Sequence, residues 1–134
     1  MSTYLLDTNH LGAALRPKGS VQGRIIGAAK EGHRIGTCVP VLCELGVGIA
    51  QTSRPDDNWK ALEALLQRVR VLPIEPELAR TYADVYRELR AKGRVLSQVD
   101  MMLAALGRHN NLIVLTTDGD FKAVRGLKTE SWIG

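Results

Sequence analysis

The chain has 134 residues, a formal net charge of +4 and 45% hydrophobic residues, which describes one folded domain over 1–134 rather than a disordered chain or two small domains. No uninterrupted apolar stretch is long enough for a membrane span, and the N-terminus reaches Asp7 without a basic leader, so neither membrane insertion nor secretion is expected. Cys38 and Cys43 make no disulfide framework, leaving a reducing cytoplasm as the expected compartment, and 4% aromatics argues against a module that stacks single strands on rows of rings.

Taken in chain order, the pattern alternates short strands and helices. Tyr4-Leu5-Leu6 reads as a buried first strand, and Asn9 to Leu15 as a short helix stopped by Pro17 and Gly19. Ser20 is placed to cap a helix running to about Lys30, with Val21, Ile25, Ile26 and Ala29 on its apolar side. Arg34 to Val39 reads as a second strand, and Pro40 suits the first turn of a helix ending near Ala50. Trp59, Leu62, Leu65, Leu66 and Val69 recur at helical spacing after a turn over residues 54–58. Residues 71–74 form a short strand whose Pro73 marks an end or an edge. Glu75-Pro76-Glu77 opens a helix carrying Leu78, Tyr82, Val85, Tyr86 and Leu89 toward the core, and Ser97 begins another with Val99, Met102, Leu103 and Leu106. Leu112 to Leu115 is the clearest buried strand, and Lys128 to Ile133 the last. Five strands alternating with helices predict an α/β domain with a parallel sheet covered on both faces, whose ligand crevice lies beyond the carboxyl ends of the strands.

Four carboxylates fall where that crevice should be. Asp7 directly follows the first strand, and Asp118 follows the clearest one. Either alone is equally well a helix cap or a turn residue. Glu44 is the only charge between Arg34 and Arg54, in an apolar segment that should form a largely buried helix. A carboxylate there needs a partner, a metal or a raised pKa, unless it emerges at a solvated helix end. Asp100 lies three residues after Ser97, resembling a capping box, but also in a first turn that would reach the same rim. Ala104, Ala105 and Gly107 would let that helix lie close to the sheet. Were all four to converge, their mutual repulsion would call for a divalent cation, and hard oxygen donors suit Mg²⁺ or Mn²⁺. Such an ion orients a water and steadies a leaving oxyanion, which is phosphodiester hydrolysis chemistry. The other 10 acids face 18 Lys and Arg, a basic exterior suited to a nucleic-acid backbone.

At this point the motifs themselves resemble a family. Leu5-Leu6-Asp7-Thr8-Asn9, Val41-Leu42-Cys43-Glu44-Leu45 with Gly48, Leu89 to Gly93 through Asp100 to Ala105, and Thr116-Thr117-Asp118-Gly119-Asp120-Phe121 are together similar to the motifs of PIN-domain ribonucleases of the VapC toxin type. The resemblance spans Leu5 to Trp132. It implies a single PIN-like three-layer α/β/α domain with a five-stranded parallel sheet. It also implies Mg²⁺- or Mn²⁺-dependent cleavage of RNA, with Asp7, Glu44, Asp100 and Asp118 as catalytic and metal-pocket acids. A homodimer and a cognate antitoxin belong to the same expectation, with DNA met only indirectly through the antitoxin. The last turn is more compact than is usual in the family, so Asp120 competes with Asp118 for the fourth position; Asp118 is favoured because it lies nearer the strand. Met101-Met102 also departs from the smaller or aliphatic residues common there.

Other residues carry two readings each. Thr8, Asn9 and Thr117 either make turn hydrogen bonds or orient the carboxylates. Arg87, Arg90 and Arg94 are either a solvated helix face or a track for the RNA backbone. His10, His33 and His109 lack metal-ligand spacing and are expected to be structural or exposed, and both cysteines to be buried free thiols. The helices from Ser20 and Trp59 are possible dimer or antitoxin surfaces.

Competing functions fit less well. A haloacid-dehalogenase-like phosphotransferase wants a second acid two residues after the first, where Asn9 stands. A receiver domain needs its phosphoacceptor after a middle strand, and no P-loop is present. The remaining alternative is a non-catalytic RNA- or protein-binding module on the same fold, whose signature would be loss of one or more of the four acids; all are present.

Overall fold

The computed structural model describes residues 1–133. Its strands are β1 (Thr3–Leu6), β2 (Arg34–Thr37), β3 (Arg70–Val71), β4 (Ile113–Leu115) and β5 (Lys128–Glu130). Its helices are α1 (Thr8–Ala14), α2 (Ser20–Lys30), α3 (Val39–Ala50), α4 (Pro55–Leu65), α5 (Leu78–Ala91) and α6 (Gln98–His109). A 3₁₀ turn over Gly119–Ala123 follows β4.

All strand pairs are parallel, in the order β3-β2-β1-β4-β5. The chain winds outward from β1 through β2 to β3, then crosses back to β4 on the other side of β1. The order therefore reverses between β1 and β4, and the crevice of a parallel sheet opens at that reversal. Register places Leu5 beside Gly36 and Val114, and Leu6 beside Leu115, so β1 and β4 end level. Leu5, Leu6, Val114 and Leu115 are fully buried, as central strands covered on both faces require. Among the described residues, no helix is long and apolar enough to cross a membrane.

Several expected boundaries move for identifiable reasons. β2 stops at Thr37 because Cys38 already takes the cap position of α3. The ladder beyond β3 adds one bond, from the Leu72 N–H to the Thr37 carbonyl at 2.8 Å. Pro73 then has no N–H to give, and β3 is an edge strand as its sequence implies. β5 ends at Glu130 because the Trp132 N–H turns away to the His10 ring instead of joining the sheet. Residues 75–77 form a turn before α5 rather than its first turn, and Gly19, not Ser20, holds the cap position of α2.

The larger correction concerns α3. Its apolar sequence suggests a largely buried helix, yet only Val41 and Ile49 are fully buried. Val39 and Val47 are 56% and 62% exposed, and Glu44 and Cys43 are exposed as well. α3 lies on the outside of the molecule, with Trp59 of α4 packed over it so closely that a Cβ at Gly46 would sit 3.0 Å from the indole. Of the two thiols, then, only Cys38 is buried, and burial raises its pKa. Tyr86, expected in the core, is 42% exposed.

Candidate active site

Each of the four acids reaches the carboxyl edge of the sheet by a different element. Asp7 is the residue after β1 and the N-cap of α1, and is 5% exposed. Its Oδ1 accepts from the His10 backbone N–H at 2.8 Å and meets the His10 Nδ1 at 2.9 Å. Asp118 caps the 3₁₀ turn after β4, its Oδ1 accepting from the Asp120 N–H at 2.9 Å. Glu44 comes from α3, where its Oε1 accepts from the Thr8 hydroxyl at 2.5 Å. Asp100 stands in the first turn of α6, its N–H donated to Ser97 Oγ at 3.1 Å. The capping roles that the sequence offered for Asp7 and Asp118 are thus real, and they coexist with the placement at the crevice.

The four share one electrostatic neighbourhood. Burial, foremost, and then the charges of Glu44, Asp7 and Asp118 push the Asp100 carboxyl above the usual carboxylate range, against the lowering effect of its bond to Ser97. Among the described residues, however, no group of three or more Asp, Glu, His or Cys side chains is drawn together tightly enough to hold an ion. The arrangement is an open acidic crevice.

His10 carries a feature that spacing could not reveal. It is fully buried. Its Nε2 accepts the Trp132 N–H at 3.0 Å, so the ring proton sits on Nδ1 and is donated to Asp7. Asp7 Oδ1 therefore receives two donors from one residue. Among the described residues Oδ2 takes no hydrogen bond and no buried side-chain oxygen is left without a partner, so Oδ2 opens to solvent. The only sequence hint was the three-residue step from Asp7, which any first helical turn contains.

The remaining residues separate into groups. Thr8 bonds Glu44, while Asn9 and Thr117 are exposed and make no side-chain hydrogen bond among the described residues. Asp120 is held at 2.8 Å by Arg94, which couples it to a guanidinium rather than leaving it free in the crevice. Arg87 and Arg90 are exposed on α5, with Arg90 lying over the Tyr86 ring.

This geometry, a parallel sheet with acids at its topological switch, defines a class, and comparison with known proteins agrees. The PIN domain family matches residues 4–127. The tRNA(fMet)-specific endonuclease VapC of Shigella flexneri is 30% identical over 98% of this chain and 99% of its own length. Ribonuclease VapC5 of Mycobacterium tuberculosis is 31% identical over 78% of each chain. Among solved structures, DNA-bound VapBC from Salmonella typhimurium superimposes with a TM-score of 0.86 at 25% identity, covering 98% of this chain and 99% of that one. The chain belongs to the PIN-domain family, as a ribonuclease of the VapC toxin type.

Proposed function

We propose that this chain is a Mg²⁺- or Mn²⁺-dependent endoribonuclease toxin that hydrolyses RNA phosphodiester bonds and is neutralised by a cognate antitoxin. The observation that carries the reading is the crevice around Asp100, whose carboxyl is pushed up first by burial and then by the like charges of Glu44, Asp7 and Asp118. A divalent cation would relieve that repulsion, and an all-oxygen donor set matches a hard ion that keeps several of its waters.

Asp7, Glu44, Asp100 and Asp118 would hold the ion. When bound, it supplies an activated water and charge stabilisation for the leaving oxygen. The chain's own residues do the positioning. His10 fixes Asp7 with Oδ2 outward, Thr8 fixes Glu44, and the Asp120 N–H fixes Asp118. A nearby cation would offset the like charges that, after burial, push the Asp100 carboxyl up. Arg87, Arg90 and Arg94 supply positive charge beside α6 for the RNA backbone, with Arg94 acting partly through Asp120.

The partner reading draws on the relatives. The Salmonella and Rickettsia felis structures are VapBC complexes bound to DNA. By extension this chain pairs with an antitoxin and meets DNA through it, forms a homodimer, and works in the cytoplasm. Transfer RNA is the first substrate to try, because the Shigella relative is named for one.

The test is cleavage of total RNA by antitoxin-free chain with Mg²⁺ or Mn²⁺ against EDTA, beside Asp7→Asn. Discrete cuts that need metal and fall by about 100-fold or more in the variant are expected. Verified metal-loaded protein that cuts none of a diverse RNA set would return the non-catalytic binding module to first place.

A further inference from the structure

Two adjoining hollows at the carboxyl end of α5 share Tyr86 and Arg90. The smaller, about 130 Å³, is closed below by Leu89 and Leu96 and sided by Arg94, Val95 and Met101. The shallower one beside it carries Arg87 and Arg108 together with the carboxylates Asp84 and Glu88. Apolar surface is exposed here. Val95, in the connection between α5 and α6, is 79% exposed, and Tyr86 is 42% exposed. The Arg90 guanidinium lies 5.4 Å from the Tyr86 ring centre and donates to its hydroxyl at 2.6 Å, making a flat shelf that is aromatic and cationic at once.

The hollow borders the acidic crevice. Met101 in its wall directly follows Asp100. Arg94 in its wall pairs with Asp120 at 2.8 Å, and the Asp120 N–H in turn holds Asp118. An occupant would therefore sit beside the acids proposed to act on a phosphate.

The lining selects the occupant. An apolar floor and an aromatic ring with a guanidinium bonded at its hydroxyl fit a planar heterocycle. The neighbouring cations fit phosphate: Arg87 makes no ion pair among the described residues, whereas Arg108 is already paired with Glu88 at 2.7 Å. The chain's net charge of +4 also favours a polyanion. We propose that this hollow is a nucleobase subsite: one unstacked base of the RNA strand lies on the Tyr86–Arg90 shelf against Val95 and Met101, while Arg87 meets the adjoining backbone. The proposal rests on the ribonuclease reading and deepens it. It makes the substrate a single-stranded or splayed-out nucleotide, because a base kept within an A-form duplex cannot leave its stack to enter. Low aromatic content excludes a row of stacking rings but leaves room for one shelf.

The test uses Asp7→Asn, and wild-type chain in EDTA, bound to short single-stranded oligoribonucleotides. Each carries 2-aminopurine or an abasic residue at successive positions. One position is expected where removing the base weakens binding about tenfold and where 2-aminopurine changes its emission. Both signals are expected to vanish in Tyr86→Ala and in Val95→Asp, while Arg87→Ala weakens all oligonucleotides alike and reduces the salt dependence. Equal effects at every position, or none, overturn the subsite. If metal-dependent cleavage by the wild type persists alongside that result, the nuclease reading survives; RNA neither bound nor cut sinks both. Unchanged RNA binding in Tyr86→Ala, with loss of an antitoxin complex, would make the hollow a protein-docking site and also overturn the proposal.

Discussion

At the scale of single residues, the most constrained group is His10. Both its ring nitrogens are committed, one to Asp7 and one to the backbone of Trp132, and no face reaches solvent. His10→Ala would open a cavity and strand the Trp132 N–H, at a cost of about 2–4 kcal/mol. Asp7 would also lose a donor that orients it, so Mn²⁺ affinity is expected to fall by roughly 10–100-fold. Urea denaturation and Mn²⁺ titration of the folded variant read the two effects separately. Unchanged Mn²⁺ binding would show that the backbone N–H cap alone orients Asp7. The residue types at Asp7 and Asp118 were legible in the sequence because strand ends are. The pairing of His10 with Trp132 joins residues 122 positions apart, and no local pattern encodes it.

Between elements, the close seating of α6 on the sheet rests on small residues. A Cβ at Gly107 would stand 2.7 Å from Val114 Cγ2, on a stiff, fully buried side chain of β4. Gly107→Ala is therefore expected to destabilise by about 1–3 kcal/mol, overriding the helical preference for alanine. A variant as stable as the wild type in urea would mean that α6 can shift away from the sheet at little cost. α5 and α6 are also pinned by Glu88, which takes Arg108 at 2.7 Å and the Arg125 N–H at 3.1 Å. Burial opposes ionisation of Glu88, but these bonds and the two guanidinium charges outweigh it and hold its pKa below the ordinary 4.5. A lowered folded pKa gives stability that is complete above the unfolded value and is lost as pH falls through the folded one. Glu88→Gln should thus cost up to about 1 kcal/mol at neutral pH, discounted for partial exposure. The gap from wild type should narrow below pH 4.5, as denaturation at stepped pH would show. A gap constant through that range would remove the ion pair from the account.

For the whole molecule, the acidic crevice predicts linkage between ion binding and folding. The acids come from the junction of β1 with α1, from α3, from α6 and from the turn after β4, so they approach one another only in the folded chain. A cation bound there stabilises the native state in proportion to the logarithm of its concentration, by about 2.7 kcal/mol at 100 times its Kd. The melting temperature of the wild type should rise with Mn²⁺ and that of Asp100→Asn much less. Equal rises in the two would place the ion elsewhere.

The sequence by itself determined the fold class and the strand order of appearance, and singled out four candidate acids, because these are written locally. Strand runs, helical periodicity and the residue after each strand are all short-range patterns. It misjudged α3, since apolar content shows that a helix has a hydrophobic surface but not whether this chain covers it. Val39 and Val47 are exposed although their segment reads as core. It likewise could not tell Tyr86 from Tyr82, because both lie on one amphipathic helix and only the packing of α6 against α5 divides buried from exposed. The tertiary structure alone decided which long-range partners complete the site: Trp132 behind His10, Thr8 beneath Glu44, and Arg94 on Asp120. Such contacts depend on the three-dimensional closure of the sheet and its helices, and distance along the chain carries no record of them.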